Sequence, residues 1–203
     1  AVHIRTSRFR YEERIVSAQD AGYLGFNTPT AAAIVAGAGY YLTDKLEFVD
    51  VAGEYYFDAQ SQQLYLKTAN GQAPAVNSVE ASRHDNGVKV ESSANLLIKN
   101  IKIQHQQKNG VYIYGAQTSN LGINNCVFEN IYLYAITGAN KDQVNISNNR
   151  FNDIWNSAIY PGGITNLTIS SNIFKRIGIA APGRATDDVI SYKCINMNHS
   201  SGT

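Results

Sequence analysis

The sequence contains little cysteine, methionine or charge. Of its 203 residues, two are cysteines, one is a methionine and 16% are charged, with a formal net charge of +1. So small and balanced a charge gives no bulk electrostatic reason to expect nucleic acid or an acidic polymer as a partner. No apolar run is long enough to span a bilayer, and the first residues lack the apolar core of a signal peptide. We therefore expect a mature or excised chain without a membrane span.

The two cysteines, Cys126 and Cys194, are not expected to form a disulfide. The repeat described below places them about three coils apart, and strands stack about 4.8 Å apart. Three such steps exceed the reach of a disulfide bond. The sequence therefore predicts two buried free thiols that pack as small apolar side chains.

The chain is instead rich in tyrosine, asparagine, serine, threonine and glycine, with thirteen tyrosines in all. Together with the low charge, this composition is more typical of an exported β protein than of a cytosolic helical one. We therefore expect an extracellular or cell-surface location.

Two sets of residues recur with one period along the second half of the chain. The first set recurs at intervals of about two dozen residues and begins at Ile98, Ile123, Ile146 and Ile169. The second set keeps the same interval and begins at Gly87, Gly110, Ala135 and Ala158. Two independent sets with one period indicate a repeat architecture of stacked coils.

Each repeat contains short stretches in which apolar and polar residues alternate, as in Val88-Lys89-Val90. Strands this short bury their apolar side only when the next coil stacks on them and continues the same inner column. The predicted inner columns are Val88, Val111, Ile136 and Ile159; Ile98, Ile123, Ile146 and Ile169; and Ile103, Phe128, Phe151 and Phe174. The spacing excludes propeller blades, and the sparse leucine excludes leucine-rich repeats. The sequence thus predicts an all-β protein with a right-handed parallel β-helix of three parallel sheets.

Asparagine marks the turn between the second and third strands of each coil. The equivalent positions are Asn100, Asn125, Asn148 and Ser171. Asparagine tolerates bent backbone conformations, and its amide can bond to the amides of the coils above and below. We interpret these residues as a stabilising ladder. The same turn chemistry accounts for the glycosylation-like motifs at Asn145, Asn166 and Asn198, so glycosylation is not predicted.

Residues 1–78 lack this period and are predicted to form a β-rich appendage. Its clearest element is a hairpin at residues 53–67. Strands are predicted at residues 2–5 and 23–26, and Thr43 is expected to cap a short helix at residues 44–48. Residues 79–203 form the predicted β-helix, and residues 79–82 are expected to be the last strand of an incomplete coil.

The segments GEYYFDAQSQQLYLKT, VEAS, NGVKV and LLIKNIKI resemble bacterial right-handed β-helix repeat proteins related to pectate lyases. The resemblance implies a secreted or surface protein that acts on polysaccharides. Such proteins have further coils on either side of this stretch. The last coil here, around residues 193–197, has no capping element, and uncovered strand edges are normally protected. We therefore expect the chain to be a fragment of a longer parent chain.

In proteins of that family the substrate groove lies on the outer face of the first sheet and on the loops that lead into it. By this resemblance, the predicted substrate-binding residues are Lys89, Tyr112, Tyr114, Trp155 and Tyr160. Thr137 lies on the same face, and Glu91 and Tyr114 lie at its margin. Aromatic rings can stack on the C–H faces of sugars. The alternative is that these tyrosines are ordinary exposed residues of a sheet.

The leading loops, predicted at residues 83–85, 104–108, 129–133, 152–156 and 175–188, contain the weak candidates for catalysis. Arg184, Asp187 and Asp188 lie in the longest loop, where they could bind a calcium ion or a uronate, although most such pairs are solvated loop residues. His84, His105 and Lys108 lie on neighbouring loops and could converge. His84 and Asp85 precede a turn that they could instead cap. No recurring carboxylate pair, zinc motif, phosphate loop or nucleophile elbow is found.

Three functions are compatible with this pattern. The first is a polysaccharide lyase or glycoside hydrolase, implied by the resemblance. The second is a non-catalytic carbohydrate-binding or adhesive surface module, favoured by the lack of a catalytic set. The third is a structural spacer within a long surface protein.

Overall fold

The computed structural model describes residues 1–7, 10–75, 78–116, 118–179 and 193–197. The chain divides into two compact units, one containing Ala1–Glu80 and the other the described residues from Ala81. Within these ranges the structure is all-β with almost no helix, as the sequence predicts. The one helix described is a three-residue 3₁₀ turn, far too short to cross a membrane.

The first unit consists of three small antiparallel sheets. They pair β1 (Val2–Ser7) with β2 (Arg10–Arg14) and β5 (Tyr40–Leu42), β3 (Val16–Asp20) with β4 (Tyr23–Phe26), and β6 (Tyr55–Asp58) with β7 (Gln63–Leu66). The predicted hairpin is confirmed, since Tyr55 pairs with Leu66 and Asp58 with Gln63. The strands predicted at residues 2–5 and 23–26 are confirmed as well.

The predicted helix cap at Thr43 is wrong. The helix is a single 3₁₀ turn, Leu46–Phe48, which begins after Lys45 and has no side-chain cap. The hydroxyl of Thr43 instead donates to Asp44 and lies 3.0 Å from His3 Nε2. His3 is a buried residue whose ring stacks on Tyr41, 4.5 Å between centroids. The Thr43 hydroxyl therefore interacts with residues beside the sheet of β1, β2 and β5, and it does not cap the helix.

The second unit is a parallel β-solenoid of four coils. The first sheet contains β8 (Asn86–Glu91), β11 (Asn109–Tyr114), β14 (Tyr134–Ala139) and β17 (Ser157–Gly162). The second sheet contains β9 (Ala94–Lys99), β12 (Ser119–Asn124), β15 (Asp142–Ser147) and β18 (Thr165–Ser170). The third sheet contains β10 (Lys102–Gln104), β13 (Val127–Ile131), β16 (Arg150–Ile154) and β19 (Ile173–Ile177).

All three predicted inner columns are confirmed by the strand registers. Val111 pairs with Val88 and Ile136, and Ile136 pairs in turn with Ile159. Ile98, Ile123, Ile146 and Ile169 are paired from coil to coil in the same way. In the third column the rings of Phe128, Phe151 and Phe174 stack with centroids 5.0 Å apart. The stacked coils therefore share one apolar interior.

Each coil bends at four positions where the backbone adopts a positive φ. These positions form four columns: Ser92, Gly115, Asn140 and Gly163; Asn95, Asn120, Gln143 and Asn166; Asn100, Asn125, Asn148 and Ser171; and His105, Asn130, Asp153 and Arg176. Asparagine and glycine predominate because they tolerate the left-handed region best. The sequence predicted only the third column. Its predicted amide ladder is present between Asn125 Nδ2 and Asn100 Oδ1, 2.8 Å apart.

A buried asparagine stack lies one residue beyond that column and was not predicted. Asn149 is fully buried, and its Oδ1 accepts the N–H of Cys126 at 2.9 Å. Asn172 repeats the arrangement one coil later, since its Oδ1 accepts the N–H of Asn149 at 2.9 Å. The equivalent positions in the first two coils are Ile101 and Cys126, so the two asparagines do not form a column that periodicity alone would reveal.

Three further expectations are wrong. The segment predicted as a strand at residues 79–82 has no regular structure, because the described residues supply no preceding coil on which it could stack. Cys126 and Cys194 are both free, but Cys194 is exposed, because the last described residues join the solenoid through one bridge, Ile159 with Ile195. The strands of the third sheet also extend further than predicted, so residues 104, 129–131, 152–154 and 175–177 belong to strands and not to the leading loops.

Candidate functional site

Three of the predicted substrate-binding residues, Lys89, Tyr112 and Tyr160, lie in one outward row on the first sheet. Tyr112 pairs with Lys89 on one side and with Thr137 on the other, and Thr137 pairs with Tyr160. Strand alternation turns this row outward because its neighbours Val111 and Ile136 are buried. Tyr112 is 37% exposed. The four coils thus present Lys, Tyr, Thr and Tyr in one line.

Tyr112 is held by its neighbour on the same strand. The rings of Tyr112 and Tyr114 stack with centroids 5.0 Å apart and an interplanar angle of 12°. The hydroxyl of Tyr114 donates to Glu91 Oε2 at 2.7 Å in the preceding coil. This hydrogen bond raises the pKa of Tyr114 above its ordinary value. One face of the Tyr112 ring is therefore covered, and the pair is fixed in orientation.

A second aromatic pair lies one coil further along the same sheet. The rings of Tyr134 and Tyr160 stack with centroids 4.6 Å apart. Thr137 Oγ1 donates to the main-chain oxygen of Tyr160 at 3.0 Å, which ties the two strands together beside this pair. We call the surface formed by Tyr112, Tyr114, Tyr134 and Tyr160 the aromatic face. Tyr134 was not among the predicted residues, although it lies three residues before Thr137 in the same repeat.

Trp155 lies in the loop between β16 and β17, as predicted. Its ring contacts Tyr132 of the preceding coil, with centroids 5.9 Å apart and an angle of 37°. The N–H of Trp155 donates to the main-chain oxygen of Ile131 at 2.9 Å, so the loop itself stacks on the loop below. Trp155 therefore belongs to a stacked loop pair beside the sheet and not to the row of Tyr112.

The loops that hold His84 and Lys108 are joined directly. The main-chain oxygen of His84 accepts the N–H of Gln107 at 3.0 Å, and Lys108 Nζ lies 2.6 Å from Asp85 Oδ2. The pairing brings His84 and Lys108 onto adjacent loops but commits the lysine to a carboxylate. His105 lies in the corner column with a φ of 61°, and its main-chain N–H donates to the main-chain oxygen of Glu129. A shared site of His84, His105 and Lys108 remains a prediction.

The other three predicted catalytic residues, Arg184, Asp187 and Asp188, lie outside the described residues, as does Asn198. The calcium site proposed for the two aspartates therefore stays a prediction. Among the residues that the structure describes, no group of three or more His, Cys, Asp or Glu side chains is placed to hold a metal ion.

Every carboxylate described in the second unit is engaged by a side chain of a neighbouring coil. The five pairs are Asp85 with Lys108, Glu91 with Tyr114, Glu129 with Lys102, Asp142 with Thr165, and Asp153 with Arg176. Hydrogen bonds from Thr165 and Asn166 lower the pKa of Asp142, and those from Arg176 lower the pKa of Asp153. A general acid of a glycoside hydrolase needs a raised pKa, which is the opposite shift.

The second sheet carries a polar groove of about 670 Å³ that the sequence did not predict. Its floor is the outward row in which Gly122 pairs with Leu97 and Asn145, and Asn145 with Thr168. Its sides are formed by Asn95, Asn120, Gln143 and Asn166 along one edge and by Lys99, Asn124 and Ser147 along the other. We call this surface the amide groove. Its signal was in the outward half of the repeat, where amide side chains recur with the same period as the core.

The edges of the amide groove are ordered by bonds between coils. Asn120 Nδ2 donates to Asn95 Oδ1 at 2.7 Å, and Asn124 Nδ2 donates to Ser147 Oγ at 2.9 Å. The side chains of Asn145 and Thr168 on the floor form no hydrogen bond with the residues that the structure describes. The groove therefore combines fixed walls with polar groups that are available to a ligand.

The sequence model of one protein family, described as "Right handed beta helix region", matches residues 64–202. The match covers all the described strands of the solenoid and most of the second strand of the hairpin. No curated protein matches the chain. No solved structure matches it either.

Proposed function

The chain belongs to the right-handed β-helix family, and from that premise we propose that it is the glycan-binding part of a bacterial secreted or cell-surface protein that acts on polysaccharides. The observation that carries the proposal is the aromatic face, on which stacked tyrosine pairs recur along successive coils of one sheet. The tyrosine-rich, weakly charged composition supports the extracellular location.

The aromatic face suits a sugar polymer because its rings are already oriented. Sugar rings present C–H groups that pack on aromatic planes. Tyr112 and Tyr160 lie two coils apart, roughly 10 Å by the usual strand spacing. Because the stacked partners hold these rings in place, a ligand loses less side-chain entropy when it binds. A repeating surface of this kind favours a repeating ligand.

Binding is favoured over hydrolysis by the arrangement of the acidic side chains. Hydrolases need two carboxyl groups that flank the scissile bond, one of them protonated. The described carboxylates of the second unit are instead each paired with a neighbouring coil, and the pKa of Asp142 and of Asp153 is lowered. In a parent protein with catalytic activity, we propose that the catalytic groups lie on further coils of a longer chain.

A polysaccharide lyase is the second candidate, because Lys89 lies beside Tyr112 and forms no ion pair with the described residues. A free ammonium next to an aromatic ring suits a uronate carboxylate, and a lysine can act as the base of a lyase. His84 and Lys108 lie on the loops that lead into the same sheet. For a lyase, Lys108 would have to leave Asp85 before it could accept a proton.

The test is incubation of the purified chain with immobilised and soluble polysaccharides, both uronate-containing and neutral. We expect retention without turnover. Absorbance from unsaturated uronates would establish the lyase instead, and new reducing ends alone would establish a hydrolase.

The variants Tyr112→Ala and Tyr160→Ala, combined, should reduce retention at least about tenfold, which corresponds to about 1.4 kcal/mol of binding free energy. Tyr65→Ala is the matched control, since Tyr65 has the same 37% exposure but lies on the hairpin of the first unit. Unchanged retention by the double variant would rule out the aromatic face as the binding surface.

A further inference from the structure

We propose that the amide groove on the second sheet is a second glycan-binding site, one that takes an extended oligosaccharide carrying carboxylate groups. The site uses none of the residues of the aromatic face, so the inference stands or falls separately from the proposed function. Its fifteen lining residues all belong to the second unit and to four consecutive coils.

The apolar part of the groove lies at Gly122. On the outward row Gly122 separates Leu97 from Asn145. The Leu97 side chain lies over this position, since a Cβ at residue 122 would be 2.7 Å from Leu97 Cδ1. Leu97 is 55% exposed. An exposed apolar side chain within a polar groove suits the C–H face of a sugar ring.

Three polar side chains of the groove have no hydrogen-bond partner among the described residues. Asn145, Thr168 and Gln143 form no side-chain hydrogen bond with the residues that the structure describes, and all three lie in the groove. An amide offers two donors and an acceptor, and a hydroxyl offers both functions, so these side chains match the hydroxyl groups of sugars. The bonded asparagines at the edges limit the entropy lost on binding.

The single positive charge of the groove lining favours an acidic sugar. Lys99 is the one charged residue among the described residues that line the groove, and it forms no ion pair with the described part of the chain. The described lining therefore contains no carboxylate. The strands of this sheet contain one acidic residue, Asp142. Its carboxylate already accepts hydrogen bonds from Thr165 and Asn166 at 2.7 and 2.8 Å. A uronate carboxylate beside Lys99 would gain a cation without repulsion.

A peptide or a nucleic acid fits the groove less well. The backbone groups of β12 and β15 are already paired between coils, so a peptide cannot add to the sheet as an extra strand. The lining that the structure describes contains no aromatic ring and a single cation, whereas single-stranded nucleic acids need stacking platforms and a basic path. The side chains repeat at the coil spacing of about 4.8 Å, close to the length of one sugar unit in an extended chain.

The experiment is an NMR titration of the ¹⁵N-labelled chain with two probes, a galacturonic acid hexamer and a neutral cellohexaose. We expect the hexamer of galacturonic acid to shift the backbone amides of Leu97, Gly122 and Asn145. The combined variant Asn145→Ala and Thr168→Val should weaken this binding about tenfold or more, and Lys99→Gln should weaken it about fivefold and reduce its salt dependence. Lys67→Gln, an exposed lysine outside both proposed binding surfaces, is the matched control and should leave these shifts unchanged.

The outcomes separate the two sites. Binding that is lost in the Tyr112→Ala, Tyr160→Ala variant but unaffected by the groove variants would overturn the second site and leave the proposed function intact. Groove shifts that persist in the tyrosine variant and vanish in the groove variant would support the second site even where the aromatic face fails. Equal affinity for cellohexaose would overturn the assignment of an acidic ligand. The absence of amide shifts in the groove with either probe would overturn the site.

Discussion

The side-chain nitrogen of Asn149 donates a hydrogen bond to the main-chain oxygen of Ile123, 2.9 Å away, in the fully buried corner between the second and third sheets. The same amide group also accepts the N–H of Cys126. Asn149 therefore satisfies one donor and one acceptor of the preceding coil at a place where water has no access. A buried polar group that loses its partner costs the full desolvation penalty, so this contact is a point where the solenoid can be tested.

We predict that Asn149→Ala lowers the free energy of unfolding by about 2–4 kcal/mol, because two buried backbone groups lose their partners and a cavity opens. Urea denaturation followed by far-UV circular dichroism measures the change. Asn145→Ala, on the exposed face of the adjacent strand, is the control and should change stability by less than about 0.5 kcal/mol. Equal effects of the two variants would contradict the role of the buried amide.

Two glycines provide a matched pair for the packing of the coils. A Cβ at Gly110 would lie 2.5 Å from the main-chain oxygen of Ala135 and 2.8 Å from Phe128, whereas one at Gly122 would meet only the end of the Leu97 side chain. We predict that Gly110→Ala destabilises the chain by about 1–3 kcal/mol, and that Gly122→Ala stays within about 0.5 kcal/mol of the parent. Thermal unfolding of both variants checks the difference. An unchanged unfolding midpoint for Gly110→Ala would show that the coils can separate locally.

Acidification should weaken the first unit through His3. Burial lowers the pKa of His3 below its ordinary value of 6.5, and the nearby Asp44 opposes this shift more weakly. The unfolded chain therefore binds the proton more readily, so the stability from His3 is complete above pH 6.5 and is lost as the pH falls towards the lower folded pKa. Hydrogen exchange of the β1 amides at pH 7.5 and 5.5 should show faster opening at pH 5.5. His3→Gln should remove this dependence, and an unchanged dependence in the variant would exclude His3 as its origin.

The solenoid should lose stability at a lower pH for a different reason. The guanidinium of Arg176 holds the pKa of Asp153 below its ordinary value of 3.8, and Thr165 has the same effect on Asp142. A carboxyl group whose pKa is lower in the folded than in the unfolded chain stabilises the fold at pH values above its unfolded pKa. This contribution is lost as the pH falls below about 4. We expect Asp153→Asn and Arg176→Gln to flatten the decline in unfolding midpoint between pH 5 and 3 to the same extent. Different profiles for the two variants would show that Asp153 has another partner.

The inner columns were predictable because they depend on two local rules. Alternation within a strand assigns Val111 and Ile113 to one side and Tyr112 to the other, and the constant period of the repeat places Val111 beside Val88. The outward row of Lys89, Tyr112, Thr137 and Tyr160 follows from the same rules. The buried role of Asn149 was not predicted because the first two coils have Ile101 and Cys126 at the equivalent position. The burial of Cys194 was wrongly predicted because the period does not indicate how completely the last described coil is covered.

The sequence by itself determined which side chains enter the interior and which coil follows which, because those features are set by spacing along one chain. Only the tertiary structure decided which outward side chains meet. The contact of Tyr134 with Tyr160, the ion pair of Lys108 with Asp85 and the position of Leu97 over Gly122 depend on side-chain directions between neighbouring coils. Those directions result from packing between residues that are far apart along the chain, which leaves little trace in the local pattern.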